Sequence, residues 1–219
     1  DYKKKIGATF TLLIEPKPRE PTKHQYDYDA QTVIGFLRKY HLENEFKLNI
    51  EPNHTTLAGH DYEHDIVFAC NEGMLGSVDA NTGDPLLGWD TDQFPMDVKK
   101  AVIVMYHIIR AGGLHTGGLN FDAHIRRESI AMEDRFVAHI GAMDTFAHAL
   151  LIVEKMMQDG IYQDRVDKRY ESYTTGIGAR IESGEATFEE CEQYILEHGK
   201  PTPQSAKQES FEVLLNHYM

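Results

Sequence analysis

Four short runs rich in apolar and β-compatible residues recur in the first part of the chain, and each ends at an acid: TFTLLIEP at Glu15, FKLNIEP at Glu51, LGSVDAN at Asp79 and GGLNFDA at Asp122. Between them the apolar residues take up helical spacing. DAQTVIGFLRKYHL offers Val33, Ile34, Phe36, Leu37 and Tyr40 as a buried stripe, and DYEHDIVFACNEGM places Ile66, Val67, Phe68 and Cys70 ahead of a stop at Gly73. MDVKKAVIVMYHIIRAGG closes on paired glycines, a frequent helix ending. Strand alternating with helix predicts parallel strands joined by right-handed crossovers. The four acids lie 36, 28 and 43 residues apart, spacings that suit βα units with loops of different length. In a parallel α/β barrel the carboxyl ends of the strands meet on one face, so acids far apart in sequence become neighbours.

After about Met132 the strand signals cease. Helical segments follow: MEDRFVAHIGAMDTFAHALLIVEKMMQDG, YQDRVDKRYES, TFEECEQYILEHG and QESFEVLLNHYM. Thr187 and Glu190 form a capping box, and Gly199 with Pro201 closes that helix. The last three pieces are short, amphipathic and polar-rich, which fits either an extension lying on a neighbouring subunit or a tail packed on its own domain. The expected division is 1–155 for the strand-bearing part and 156–219 for the helical extension. A closed barrel needs eight strands, and four are present, so two sheet edges and an inner face await a partner. The opening DYKKKIG has the basic last turn and glycine of a helix end with almost nothing before it, and no initiator Met, so the sequence is expected to start inside a larger protein.

Composition narrows the function classes. With 219 residues and 41% hydrophobic content, the chain can bury a sizeable core. A net charge of -13 argues against a nucleic-acid partner, because neutralising phosphates takes clustered Lys and Arg. Cys70 and Cys191 are far apart and outside any CxxC spacing, which points to free thiols and a reducing compartment. No uninterrupted apolar run approaches a bilayer span, and a cytoplasmic location is the expectation.

The acids are the candidate chemistry. Besides the four at strand ends, GWDTDQFP supplies Asp90 and Asp92, and His54 stands just beyond Glu51. Six carboxylates gathered on one face would repel by several kcal/mol at reduced dielectric, so positive charge must sit among them. Lys17 offers one such charge, on a backbone stiffened by Pro16 and Pro18. Divalent cations supply the rest. Oxygen-dominated ligation with a single imidazole favours magnesium, manganese or cobalt over a thiolate zinc site, and six carboxylates suit two ions. Taken singly, each acid also reads as a solvated residue or a helix cap, Asp90 and Asp92 as turn residues, and His54 as an ordinary satisfied histidine. His24, His60, His64, His107, His115, His124, His139 and His148 read as surface or supporting residues.

IEPKP, NIEPNHTTLAGH, EPTKHQYDYDA, GSVDANTGDPLLGWDTDQFP and GGLNFDAHIRR resemble the motifs of xylose isomerase, of its longer bacterial class, and the resemblance runs through nearly the whole chain. It implies an α/β fold: the second half, strands five to eight, of a TIM (β/α)8 barrel, followed by a C-terminal helical extension that embraces a neighbouring subunit of a homotetramer. It also implies that one divalent ion is held by Glu15, Glu51, Asp79 and Asp122 and a second by Glu51, His54, Asp90 and Asp92, with Glu51 as the bridge. Glu15, Lys17, His54, Asp79 and Asp122 would contact the sugar, and Lys17 and Asp92 would be catalytic. The implied reaction interconverts D-xylose with D-xylulose, and D-glucose with D-fructose, by a metal-assisted hydride shift. The family's ring-opening histidine and aspartate match nothing here, so activity of this chain alone is doubtful. Two other readings stand beside it: a related barrel that hydrolyses phosphodiesters, and a non-catalytic metal-binding fragment.

Overall fold

A one-turn helix, α1 (Tyr2–Lys5), precedes the first strand, β1 (Leu12–Ile14), in the computed structural model, which describes residues 1–219. Helix α2 (Ala30–Lys39) leads to β2 (Phe46–Ile50); α3 (Pro52–Leu57) and α4 (His64–Asn71) lead to β3 (Leu75–Asp79); α5 (Val98–Arg110) leads to β4 (Leu119–Asn120). The strands pair in sequence order and all in parallel, as the alternation predicts. The chain forms two compact units, Asp1–Val153 and Glu154–Met219.

In the first unit, alternate strand residues divide between two faces. Leu48, Ile50 and Val78 are almost fully buried, as are Ile34 and Leu37 of α2, Ile66 of α4, and Val102 and Ile108 of α5. Helix α4 packs on β2 and β3 and lies between α2 and α5. On the other face, Gly76 leaves room for Leu13 and Lys47: a Cβ there would come within 2.5 Å of Leu13 Cδ2 and 2.7 Å of Lys47 Cβ.

Two expected stripes are narrower than read. In α2, Ala30, Val33, Ile34 and Leu37 are buried, while Phe36 and Tyr40 are more than half exposed and pack on each other at 4.7 Å. At 3.6 residues per turn Phe36 lies about 110° from the stripe's centre, and Tyr40 is already the C-cap. In α4 the buried residues are Asp65, Ile66 and Ala69, with Val67, Phe68 and Cys70 only half-buried.

Helix α6 (Met132–Asp159) corrects the reading of apolar runs, because an 18-residue window of it has a mean hydropathy of 1.6, long and apolar enough to cross a membrane by length and composition. Only His139, Asp144 and His148 interrupt the apolar and small residues from Phe136 to Val153. One stripe, Ala142, Phe146, Ala149 and Val153, is buried, and Phe146 meets Phe121 at 6.2 Å. Phe136, Val137, Ile140, Met143 and Leu151 form a second apolar surface that is 49% to 66% exposed.

The second unit contains α7 (Ile161–Tyr170), α8 (Gly176–Glu182), α9 (Phe188–His198) and α10 (Gln208–Tyr218). Thr187 and Glu190 close the capping box that their spacing predicts, each side chain bonded to the other's backbone N–H at 3.3 and 2.9 Å. Tyr162 meets Phe211 at 5.6 Å, and Arg165 donates to Ser210 Oγ at 2.9 Å, tying α7 to α10. Helices α7, α8 and α9 bury no residue, so this unit has little core of its own.

Candidate metal centre

The parallel register places the strand-end side chains. Leu13 pairs with Lys47 and Ile14 with Leu48, which sets Glu15 beside Asn49; Asn49 pairs with Ser77, and Asp79 with Asn120. The Asn49 amide uses its two N–H groups to bridge two acids, donating to Glu15 Oε2 at 2.8 Å and to Asp79 Oδ2 at 2.7 Å. Glu51 is the first residue beyond β2 and the N-cap of α3, where Pro52 suits the first helical position. One turn on, His54 points back at it, with Nε2 3.2 Å from Glu51 Oε1.

Asp90 and Asp92 arrive from the loop after β3. That loop is clamped by a two-way backbone bridge between Thr82 and Gln93, each N–H reaching the other's carbonyl at 2.8 Å, and by His124 N–H on Asp92 O. Asp90 accepts from Lys17 Nζ at 2.7 Å, lies 2.9 Å from His54 Nε2, and accepts from Asn53. Asn81, fully buried, is the hub: its amide donates to Glu51 Oε1 at 2.7 Å, Asp92 Oδ1 at 3.2 Å and Asp122 O at 2.9 Å, and its Oδ1 accepts Asn53 N–H.

Ligand atoms of Glu15, Glu51 and His54 lie within 4.8 Å of one another, and so do those of Glu51, Asp90 and Asp92. Glu51 belongs to both groups. Asp79 joins through Asn49, and Asp122 through its backbone carbonyl on Asn81. Sequence reasoning missed the asparagines. The signal was present: Asn49 and Asn120 precede an acid by two residues, while Asn53 and Asn81 follow one by two.

The electrostatics ask for a cation. Burial, with Asp90, Asp92 and Glu15 close by, pushes the Glu51 carboxyl up to about 10 even though Asn81 donates to it. Its Oε2 is buried without a hydrogen-bond partner. Burial and then Asp90 raise Asp92 to about 6. Asp90 moves the other way: burial opposes its charge, but hydrogen bonds from His54, Asp92 and Lys17 outweigh that and hold it low. His54 Nδ1 is 3.0 Å from Pro16 O, which only accepts, so Nδ1 carries a hydrogen; Nε2 faces Glu51 at 3.2 Å and Asp90 at 2.9 Å, and is the nitrogen an ion would take on displacing the hydrogen shared with Asp90. An imidazole nitrogen and carboxylates converging within 4.8 Å, together with the orphaned Glu51 oxygen, fit an oxygen-rich divalent ion.

Two predictions arise here. In the metal-free chain the folded state holds protons on Glu51 and Asp92 that the unfolded state, with values of 4.5 and 3.8, releases earlier. Those contributions are therefore fully present at acid pH and are lost as pH rises through about 6 for Asp92 and about 10 for Glu51. The melting temperature in a chelator should fall between pH 6 and 9; saturating Mn2+ should reverse the slope, since the ion binds the ionised forms. Asn81→Ala should destabilise by about 2–3 kcal/mol, because it strips a fully buried donor from Glu51 and Asp92; chemical denaturation reads this directly.

The comparisons with known proteins agree with one another. The XylA2 C-terminal domain family matches residues 166–219. Over all 219 residues the chain is 55% identical to a xylose isomerase of Caldicellulosiruptor bescii and 52% identical to one of Thermoanaerobacterium thermosaccharolyticum, covering 50% of each. It is also 52% identical over its whole length to a xylose isomerase of Bacillus subtilis, covering 49% of it. The chain thus spans about half the length of the curated relatives it matches, and that half is the C-terminal one.

Proposed function

We infer that this chain is the metal-binding C-terminal half of a xylose isomerase, supplying strands five to eight of a (β/α)8 barrel to an enzyme that interconverts D-xylose and D-xylulose. The observation that carries this is Glu51, buried with an orphaned oxygen where two three-ligand groups meet. Whole-length identity of 52% to 55% to xylose isomerases supports the reaction class.

On this reading Glu15, Glu51, Asp79 and Asp122 hold one divalent ion, and Glu51, His54, Asp90 and Asp92 hold another, with magnesium, manganese or cobalt suited to the oxygen-rich set. Bound there, such ions supply positive charge beside the sugar oxygens as negative charge develops on them. From aldose to ketose, C2 passes a hydrogen to C1, O2 loses its proton and O1 gains one. Asp92, with its carboxyl raised above the usual range by burial and Asp90, is suited to take the proton from O2 and return it to O1. Lys17, held by Asp90 at 2.7 Å, is a fixed donor for the carbonyl oxygen. Asn49 and Asn81 keep the carboxylates in place as their charge changes.

The missing half would cover the open edges of β1 and β4 and the exposed surface of α6, and it would bring the ring-opening groups that this chain lacks. The second unit, with so little core, suits contacts with neighbouring subunits of a homotetramer in the cytoplasm. Phosphodiester hydrolysis has no comparable support, since one imidazole among six carboxylates is a poor zinc set. The test is to add the N-terminal half and assay xylose: xylulose should form with magnesium or manganese and cease on chelation. No product with any divalent ion would contradict the inference.

A further inference from the structure

Away from the carboxylate cluster, a second group of donors converges where α2 and α4 begin. His60 and His64 stack face to face, with ring centroids 4.1 Å apart and planes 13° from parallel. His60 Nε2 lies 3.1 Å from Asp29 Oδ2, and His64 Nδ1 lies 2.9 Å from Asp65 Oδ1. One ligand atom each from His60, His64 and Asp65 lies within 4.8 Å of the others.

The surrounding structure anchors these groups. Asp29 caps α2 through Thr32 N–H at 2.8 Å, Asp65 accepts Ala30 N–H at 3.1 Å, and Gly59, at φ +94°, makes the tight turn that brings His60 back beside α4. Asp65 is buried, and burial raises its carboxyl above the usual range despite donors from His64 and Ala30. Both imidazoles remain about a third exposed, so an ion has access from solvent.

We propose that His60, His64 and Asp65, with Asp29 supporting His60, form a separate binding site for a borderline transition-metal ion such as zinc, nickel or copper. Two imidazoles and one carboxylate make a nitrogen-rich set, the opposite of the oxygen-rich cluster around Glu51, and divalent affinity on such ligands rises through nickel to copper. Metal–ligand distances near 2.0–2.1 Å place neighbouring donors about 3.3 Å apart, so an inward rotation of side chains that are still part-exposed completes the site. His60 already has in Asp29 the carboxylate partner that orients a ligating histidine. The ion would pin the start of α2 to the turn between α3 and α4. This proposal does not depend on the isomerase reading.

The number of coordinated nitrogens separates the two sites, because the carboxylate cluster offers one imidazole and this site offers two. One equivalent of Cu2+ added to the full chain should give an electron paramagnetic resonance spectrum with two-nitrogen splitting. That pattern should persist in Glu51→Gln and disappear in both His60→Gln and His64→Gln, with at least a tenfold loss of Zn2+ affinity by calorimetry. A one-nitrogen spectrum in the unaltered chain, or a two-nitrogen spectrum that survives both histidine substitutions, would overturn the proposal.

Discussion

On the proposed isomerase function, Glu51→Gln in the reassembled enzyme is expected to lower xylose turnover by about a thousandfold, roughly 4 kcal/mol of transition-state stabilisation. Glu15, His54, Asp90 and Asp92 each belong to one group; Glu51 belongs to both, so a neutral amide weakens both at once. The same substitution should leave the metal-free protein's stability within about 1 kcal/mol of the original. With its carboxyl raised to about 10, Glu51 is already protonated at neutral pH without an ion, and glutamine reproduces its shape and its bond network with Asn81. Loss of activity and of Mn2+ binding without loss of fold separates a ligand from a structural residue. Turnover within tenfold of the parent would remove Glu51 from the centre of the mechanism.

The second large effect concerns the chain alone. Phe136, Val137, Ile140, Met143 and Leu151 leave a broad apolar surface on α6. Covering five such side chains contributes on the order of 10 kcal/mol. The sheet also ends in two edge strands, β1 and β4, each open on its outer side. By itself the chain is therefore expected to self-associate at micromolar concentration and to bind hydrophobic dyes. Adding the N-terminal half should suppress both, and Val137→Glu with Leu151→Lys should reduce self-association while weakening assembly with that half. Sedimentation velocity distinguishes these outcomes; a monodisperse monomer without dye binding would show that α6 needs no cover.

Much of the fold was readable from two periodicities. Short β-compatible runs ending at acids, separated by helical spacing, are enough to specify four parallel strands, because few other arrangements bury both patterns. Capping chemistry at Thr187 and Glu190 was equally legible, since it depends only on local spacing. What the sequence hid was mostly non-local. Asn49 and Asn81 read as ordinary polar residues until the fold sets Asn49 between Glu15 and Asp79, each 30 or more residues away, and Asn81 between Glu51 and Asp92. Phe36 was misplaced because a helix stripe is narrower than a list of its apolar residues. On α6, His139, Asp144 and His148 break up a stretch that is apolar on two sides. His60 and His64 read as surface or supporting residues in the sequence, and the turn at Gly59 brings their rings together.

Anomalous-scattering maps from crystals of the reassembled protein soaked in Mn2+ test the bridging role of Glu51 most directly. That role predicts two manganese peaks, one on either side of the Glu51 carboxylate, with Glu15 near the first and Asp90 and Asp92 near the second. A single peak, or peaks that leave Glu51 uncoordinated, would contradict it.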